Sequence, residues 1–290
     1  MSRFVTLDVF TRDRFAGNPL AVFPDARAVG EADLQRIARE LNLSETVFLL
    51  PPESRENTAR VRIFTPAEEL PFAGHPNVGA ALLVADEGLA WNLAPGNQLR
   101  FEEGAGLVTI DILRRAGEHP TARVRAPAPL ATGPERTAAE VAGLVGLDPA
   151  SMRGGGIYAS VGAGFLIAET GPAALASARP DSQAFVVEAE RLSADGYAAL
   201  PALFLFARTG DDQFTARMFA PLSGIVEDPA TGSAAAALGA LLFAREGLTR
   251  LAVRQGAAMG RPSEILVDAG SGGVWIAGAA VPVFEGRLLR

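Results

Sequence analysis

Three side chains in this sequence join a proton-transferring group to a setting that could use it. Glu45 lies in Leu41-Asn-Leu-Ser-Glu-Thr-Val-Phe-Leu49, between a helical stretch and a strongly apolar one. A carboxyl set against such a wall is partly desolvated, which suits a glutamate to act as a general acid or base. An exposed glutamate at a helix end would read the same way over these few residues. His75 stands in Gly74-His-Pro-Asn-Val-Gly79. Its imidazole could hydrogen-bond a reacting oxygen or relay a proton near neutral pH, the alternative being a structural histidine. Asp228, in Val226-Glu-Asp-Pro-Ala-Thr-Gly-Ser233, offers a second carboxylate, or is a turn aspartate before Pro229.

Glycines sit beside two of these groups, each before an alanine- and leucine-rich stretch: Gly74 with His75, and Gly232 with Ser233. A helix starting at such a glycine offers backbone N–H groups and the positive end of its dipole, a ready site for an anion. Pro76 suits a first helical turn, and Ser233 is expected to be an N-cap. The glycines would let a ligand approach the backbone, or would only relieve a tight turn. Two such ends facing one cleft would grip a carboxylate. A Ser-His-Asp hydrolase could be assembled from Ser233, His75 and Asp228, but Thr231-Gly-Ser-Ala-Ala235 lacks the glycine spacing of a nucleophile elbow.

The elements that must hold these groups follow from periodicity. Val5 to Phe10 alternates like a strand, Phe15-Ala-Gly-Asn-Pro19 turns, and Leu20 to Phe23 returns as a second strand. Asn18, inside that turn, is a candidate substrate contact. Leu34, Ile37, Ala38 and Leu41 predict a helix over 32–41, stopped at Asn42-Leu-Ser44. Strands are expected over 46–50 and 59–64, then the helix that opens at Gly74. The second half repeats this order: a hairpin around 160–167, a helix ending at Tyr197-Ala-Ala-Leu200, strands over 202–207 and 214–219, and the helix at Gly232. Arg62-Ile-Phe-Thr-Pro66 is echoed by Arg217-Met-Phe-Ala-Pro221, so the halves read as copies of one unit. A Pro-rich connector spans Arg125 to Pro134, and strands over 273–277 and 281–288 close the chain. The expected domains are an N-terminal lobe over 1–127, completed by residues 280–290, and a C-terminal lobe over 128–279; 290 residues suit two cores rather than one.

Composition narrows the chemistry. There is no cysteine, which removes disulfides, thiolate nucleophiles and cysteine-held metals. Two histidines without metal-ligand spacing make a transition-metal site an unfavoured reading; His119, in a Gly-Glu-His-Pro loop, reads as exposed. Lys and Arg number 26 against 33 Asp and Glu, for a formal charge of -7 without a basic run, so nucleic acid and anionic membranes are not expected partners. No apolar run reaches membrane-spanning length, Asp8 and Arg12 interrupt the start, and a cytoplasmic location is expected. Neither a phosphate-binding nor a dinucleotide-binding glycine motif stands at a strand-to-helix junction.

Five segments, in order, resemble the PhzF-like family of phenazine-biosynthesis isomerases: Asp8 to Val22, Leu43-Ser-Glu-Thr-Val-Phe48, Phe64 to Pro76, Glu227 to Ala235, and Arg254 to Ser263. The resemblance implies an α/β (α+β) fold of the diaminopimelate epimerase type, with two pseudo-symmetric lobes, each a curled, mostly antiparallel sheet around a central helix. It implies a site in the cleft between them and a homodimer. In the isomerase that names the family the substrate is a dihydro-hydroxyanthranilate, and a glutamate matching Glu45 carries a proton between ring carbons, with residues matching His75, Asp228, Gly232 and Ser233 around it. In diaminopimelate epimerase a Cys-Gly pair stands at each helix start; here the pairs are Ala73-Gly74 and Thr231-Gly232, so two-thiol racemisation is unavailable and a carboxylate must serve. The expected activity is a cofactor-independent isomerase or epimerase acting on a small carboxylate, in a biosynthetic role. The alternative is a protein that binds or senses such an acid without converting it.

Overall fold

The computed structural model describes residues 2–88, 91, 96–117 and 119–289. Its contacts fall into two units, residues 1–125 with 276–290, and residues 126–275.

In the first unit the chain runs β1 (Ser2–Val9), β2 (Asn18–Phe23), α1 (Glu31–Leu41), β3 (Glu45–Leu50), β4 (Ala59–Phe64), β5 (Glu69–Leu70), α2 (Gly74–Glu87), β6 (Gln98–Glu103), β7 (Gly106–Leu113) and β8 (Thr121–Arg125). β1 and β2 pair antiparallel, β2 and β3 parallel, and β3 and β4 antiparallel. β4 then pairs with β5 antiparallel and with β6 parallel, and β6–β7–β8 is an antiparallel meander. The second unit contains β9 (Ala131–Arg136), α3 (Ala138–Leu144), β10 (Met152–Ser160), β11 (Gly164–Thr170), α4 (Pro172–Ser177), α5 (Ser182–Ala194), β12 (Leu203–Arg208), β13 (Gln213–Ala220), β14 (Ile225–Asp228), α6 (Gly232–Glu246), β15 (Arg250–Gln255) and β16 (Ser263–Gly270), followed by β17 (Gly273–Gly278). Its ladder repeats the first: β10–β11 antiparallel, β11–β12 parallel, β12–β13 antiparallel, then β13 with β14 antiparallel and with β15 parallel. The internal repeat read from the residues is thus a repeat of strand pairing. The last strand, β18 (Ala280–Leu288), pairs antiparallel with β1.

Each unit wraps a sheet about one helix. Every residue of α2 from Gly74 to Val84 is buried, and α2 packs on β1, β2, β3, β7 and β8. α6 is buried over most of Gly232 to Leu242 and packs on β10, β11, β15 and β16. A helix apolar on all sides is what such an enclosed position requires. α1 is amphipathic instead, laying Leu34, Ile37 and Ala38 on an aromatic stack in which Phe23 and Phe48 lie 4.9 Å apart. No helix among the described residues is long and apolar enough to cross a membrane.

Two expected elements differ. Tyr197-Ala-Ala-Leu200 is not helical: α5 stops at Ala194, because Gly196 turns left-handed at φ 89° and the Tyr197 N–H donates back to Leu192 O at 3.0 Å. The Pro-rich connector is shorter than expected, since Ala131 to Arg136 pairs with β10 as β9. The ladder shifts register between the pairs Glu135–Ile157 and Thr132–Ala159, and Pro134, which has no N–H to donate, lies in that irregularity.

Candidate active site

In the first unit the helix stop and the strand start place Glu45. Asn42 caps α1 in the left-handed region, φ 49°, and its N–H bonds Ala38 O, so the chain reverses and β3 opens at Glu45 beside Leu20 of β2. Thr46 to Leu49 are fully buried, whereas the Glu45 side chain keeps 15% of its exposure. α2 opens with no side-chain cap, because the N-cap residue is Ala73. His75, in the first turn, is 7% exposed, and its Nε2 lies 3.0 Å from Glu45 Oε2. β3 and α2 thus bring Glu45 and His75 together across 30 residues. Oε2 of Glu45 is itself buried. Gly74 is buried at the same helix start. Asn18 is buried at the first position of β2, opposite Val9; the Asp8 carboxylate, on the facing strand, accepts the Phe15 N–H at 2.6 Å and ties down the preceding turn.

The second unit builds an equivalent helix start around Asp228. β14 ends at Asp228, which is buried, and Thr231 is the N-cap of α6. The Thr231 hydroxyl donates to Asp228 Oδ2 rather than capping the helix. Ser233 is not the N-cap; it is the second residue of α6 and half-buried, and Gly232 opens the helix. Among the described residues neither the α2 nor the α6 N-cap residue makes a side-chain cap bond, an arrangement that suits the helix dipole to an anion. His119 is exposed.

Reasoning from the sequence missed Gln255. This buried side chain donates to Asp228 O at 2.8 Å and to Thr231 Oγ1 at 2.9 Å, and accepts the Thr231 N–H at 3.1 Å. It locks the turn between β14 and α6 from one side. The available signal was register: Leu251 and Val253 of β15 face inward, and Gln255 continues that row. Gly256, next to it, has φ 77°, and a Cβ there would collide with the carbonyl oxygens of Arg261 and Pro229. Gly256→Ala is expected to cost about 2–4 kcal/mol, from the left-handed backbone and the two collisions together. Thermal unfolding is the check: a Tm about 5–10 °C lower is expected, and an unchanged Tm would remove the argument.

The model of the phenazine biosynthesis-like protein family (PhzC-PhzF) matches residues 7–286. An uncharacterized isomerase of Mesorhizobium japonicum is 37% identical over 299 residues, covering 98% of each chain. Trans-2,3-dihydro-3-hydroxyanthranilate isomerase of Pseudomonas aeruginosa is 33% identical over 300 residues, 99% of each chain. The crystal structure of a PhzF-family phenazine biosynthesis protein of Bacillus anthracis matches with a TM-score of 0.86, at 23% identity, over 100% of this chain and 99% of that one. That likeness supports the mixed α/β, diaminopimelate epimerase-like fold expected above.

Proposed function

The chain belongs to the phenazine biosynthesis-like (PhzC-PhzF) family, and from that premise we propose that it is an isomerase that moves a proton on a small carboxylate without a cofactor, with Glu45 as the acid/base. The observation that carries the proposal is the Glu45–His75 pair, 3.0 Å apart at the uncapped start of α2. A carboxylate that accepts a proton from one carbon, while the substrate's π electrons shift, can return it to another carbon of the same molecule. Atoms and oxidation level balance without an electron acceptor. His75 is proposed to hold Glu45 and polarise the substrate, Asp228 to be a further catalytic group, and Asn18, Gly74, Gly232 and Ser233 to contact the substrate. The P. aeruginosa relative's substrate makes a cyclic amino carboxylate the class to try first. A cytoplasmic homodimer belongs to the same proposal.

The test is deuterium uptake. Wild-type protein in deuterated water is expected to place label on the receiving carbon of a 2-aminocyclohexadiene carboxylate. Binding of such acids with no exchange into any of them would favour the non-catalytic reading. His75→Ala is expected to lower kcat by about 10- to 100-fold, the loss of one orienting contact rather than of the proton carrier. A His75→Ala enzyme as inactive as a Glu45 variant would instead make the imidazole a proton carrier.

A further inference from the structure

Glu103 is the last residue of β6 and continues its inward row after Leu99 and Phe101, both fully buried. Both of its carboxylate oxygens are buried and accept no hydrogen bond among the described residues. Its polar neighbour is the side-chain amide of Asn77, in the first turns of α2. Asn77 Oδ1 is likewise buried without a hydrogen bond, while Nδ2 donates to Ala73 O at 3.0 Å. The hairpin after Glu103 is fastened to the same segment: the Ala105 N–H donates to Pro71 O at 2.9 Å, and Gly104 lies against the Pro71 backbone.

We propose that Glu103 is a positioning residue for the reaction: its carboxylic acid pairs with the Asn77 amide, and Asn77, bonded to Ala73, holds the helix start that presents His75 to Glu45. One proton accounts for all three buried oxygens. A neutral carboxyl and a primary amide exchange two hydrogen bonds, O–H to Oδ1 and N–H to the acid's C=O, and Asn77 keeps its second N–H for Ala73. An ionised Glu103 could only accept, leaving one of its oxygens against Asn77 Oδ1 in a dry setting. Burial accordingly pushes this carboxyl up to about 8, opposed in part by the Asn77 amide.

The charged groups around it are engaged elsewhere. Glu102, next on β6, accepts the Glu53 and Ser54 N–H groups and Asn57 Nδ2. On β4, Arg60 meets Glu53, and Arg62 is held by Glu31 and by Glu69 of β5. On α2, His75 lies on Glu45 of β3, and Asp111 of β7 takes Arg123 of β8.

The inference rests on the assignment of Glu45 and His75 to the site, but its test needs no substrate. In protein carrying 13C-labelled glutamate, the resonance absent from Glu103→Gln is expected to titrate near pH 8, far above the exposed glutamates. His75 ring resonances are expected to show an inflection at that same pH, lost in Glu103→Gln, whose amide can make both hydrogen bonds at every pH. With a turned-over substrate, Glu103→Leu is expected to lower kcat about 10- to 100-fold with KM near wild type, and Glu103→Gln to restore it. A Glu103 that titrates with the exposed glutamates, or a His75 indifferent to its ionisation, overturns the proposal. So does a folded Glu103→Leu enzyme with wild-type kcat. If the leucine variant does not fold, the wild-type and glutamine titrations decide. If no acid is turned over, the proposed function fails while the two resonances still decide this point.

Discussion

Glu45→Gln is expected to lower kcat by about 100- to 10,000-fold, toward the upper end, with the fold and the affinity for the substrate acid near wild type. Glutamine has the same shape and places an amide beside His75 Nε2, which lies 3.0 Å from Glu45 Oε2. It cannot take up a proton and give it back. Only the chemical step should suffer, so kcat falls and KM stays, which separates loss of the carrier from loss of binding. The measurement is deuterium uptake at the receiving carbon in single-turnover and steady-state modes. Near wild-type exchange by the glutamine enzyme would falsify the mechanism. Because the Glu45 side chain is partly exposed at a strand start rather than packed in the core, the substitution leaves Thr46 to Leu49 in place and folding is expected to hold.

Most of what positions this pair is local chemistry that the residues declare. Asn42 stops α1 because it tolerates the left-handed region, Gly74 and Gly232 open helices, and the all-round apolar character of α2 and α6 marks them as enclosed. The repeat was legible because strand pairing follows the order of elements. What could not be read is which polar group takes which hydrogen bond. Thr231 and Ser233 are both good caps by type, and the choice is made by Asp228 and Gln255, the latter 24 residues beyond Thr231 in sequence. Gln255 and Glu103 stand in inward strand rows, and a polar residue there is ambiguous until a partner from another element is known. Pro134 spoke against a strand, yet an irregular register accommodates it in β9. These misses share one cause: tertiary partners set the outcome of a local competition among groups of equal propensity.

Stability is expected to fall as pH rises from about 4.5 to about 8, and Glu103 is the group that makes it do so. In the folded protein this carboxyl holds its proton up to about 8, whereas the unfolded chain releases it near the ordinary value of 4.5. Between these limits the unfolded state binds fewer protons than the native state, so unfolding is favoured with each step up in pH. The contribution of the neutral acid is fully present below about 4.5 and gone above about 8. At about 1.4 kcal/mol per pH unit the whole window amounts to about 3–5 kcal/mol. Carboxyls lowered by their partners, such as Asp25, Glu31, Glu102, Glu140 and Glu285, work in the opposite sense and lose their contribution only as pH falls below the usual carboxylate range. Their window lies at lower pH than that of Glu103. Glutamine at 103 has no proton to release, so its stability relative to wild type should rise by about 3–5 kcal/mol between pH of about 5 and about 8.5. Denaturant unfolding of both proteins across that range measures the difference directly. A difference that stays constant with pH would mean that Glu103 ionises equally in the folded and unfolded chains, and that its carboxyl is not held as the acid.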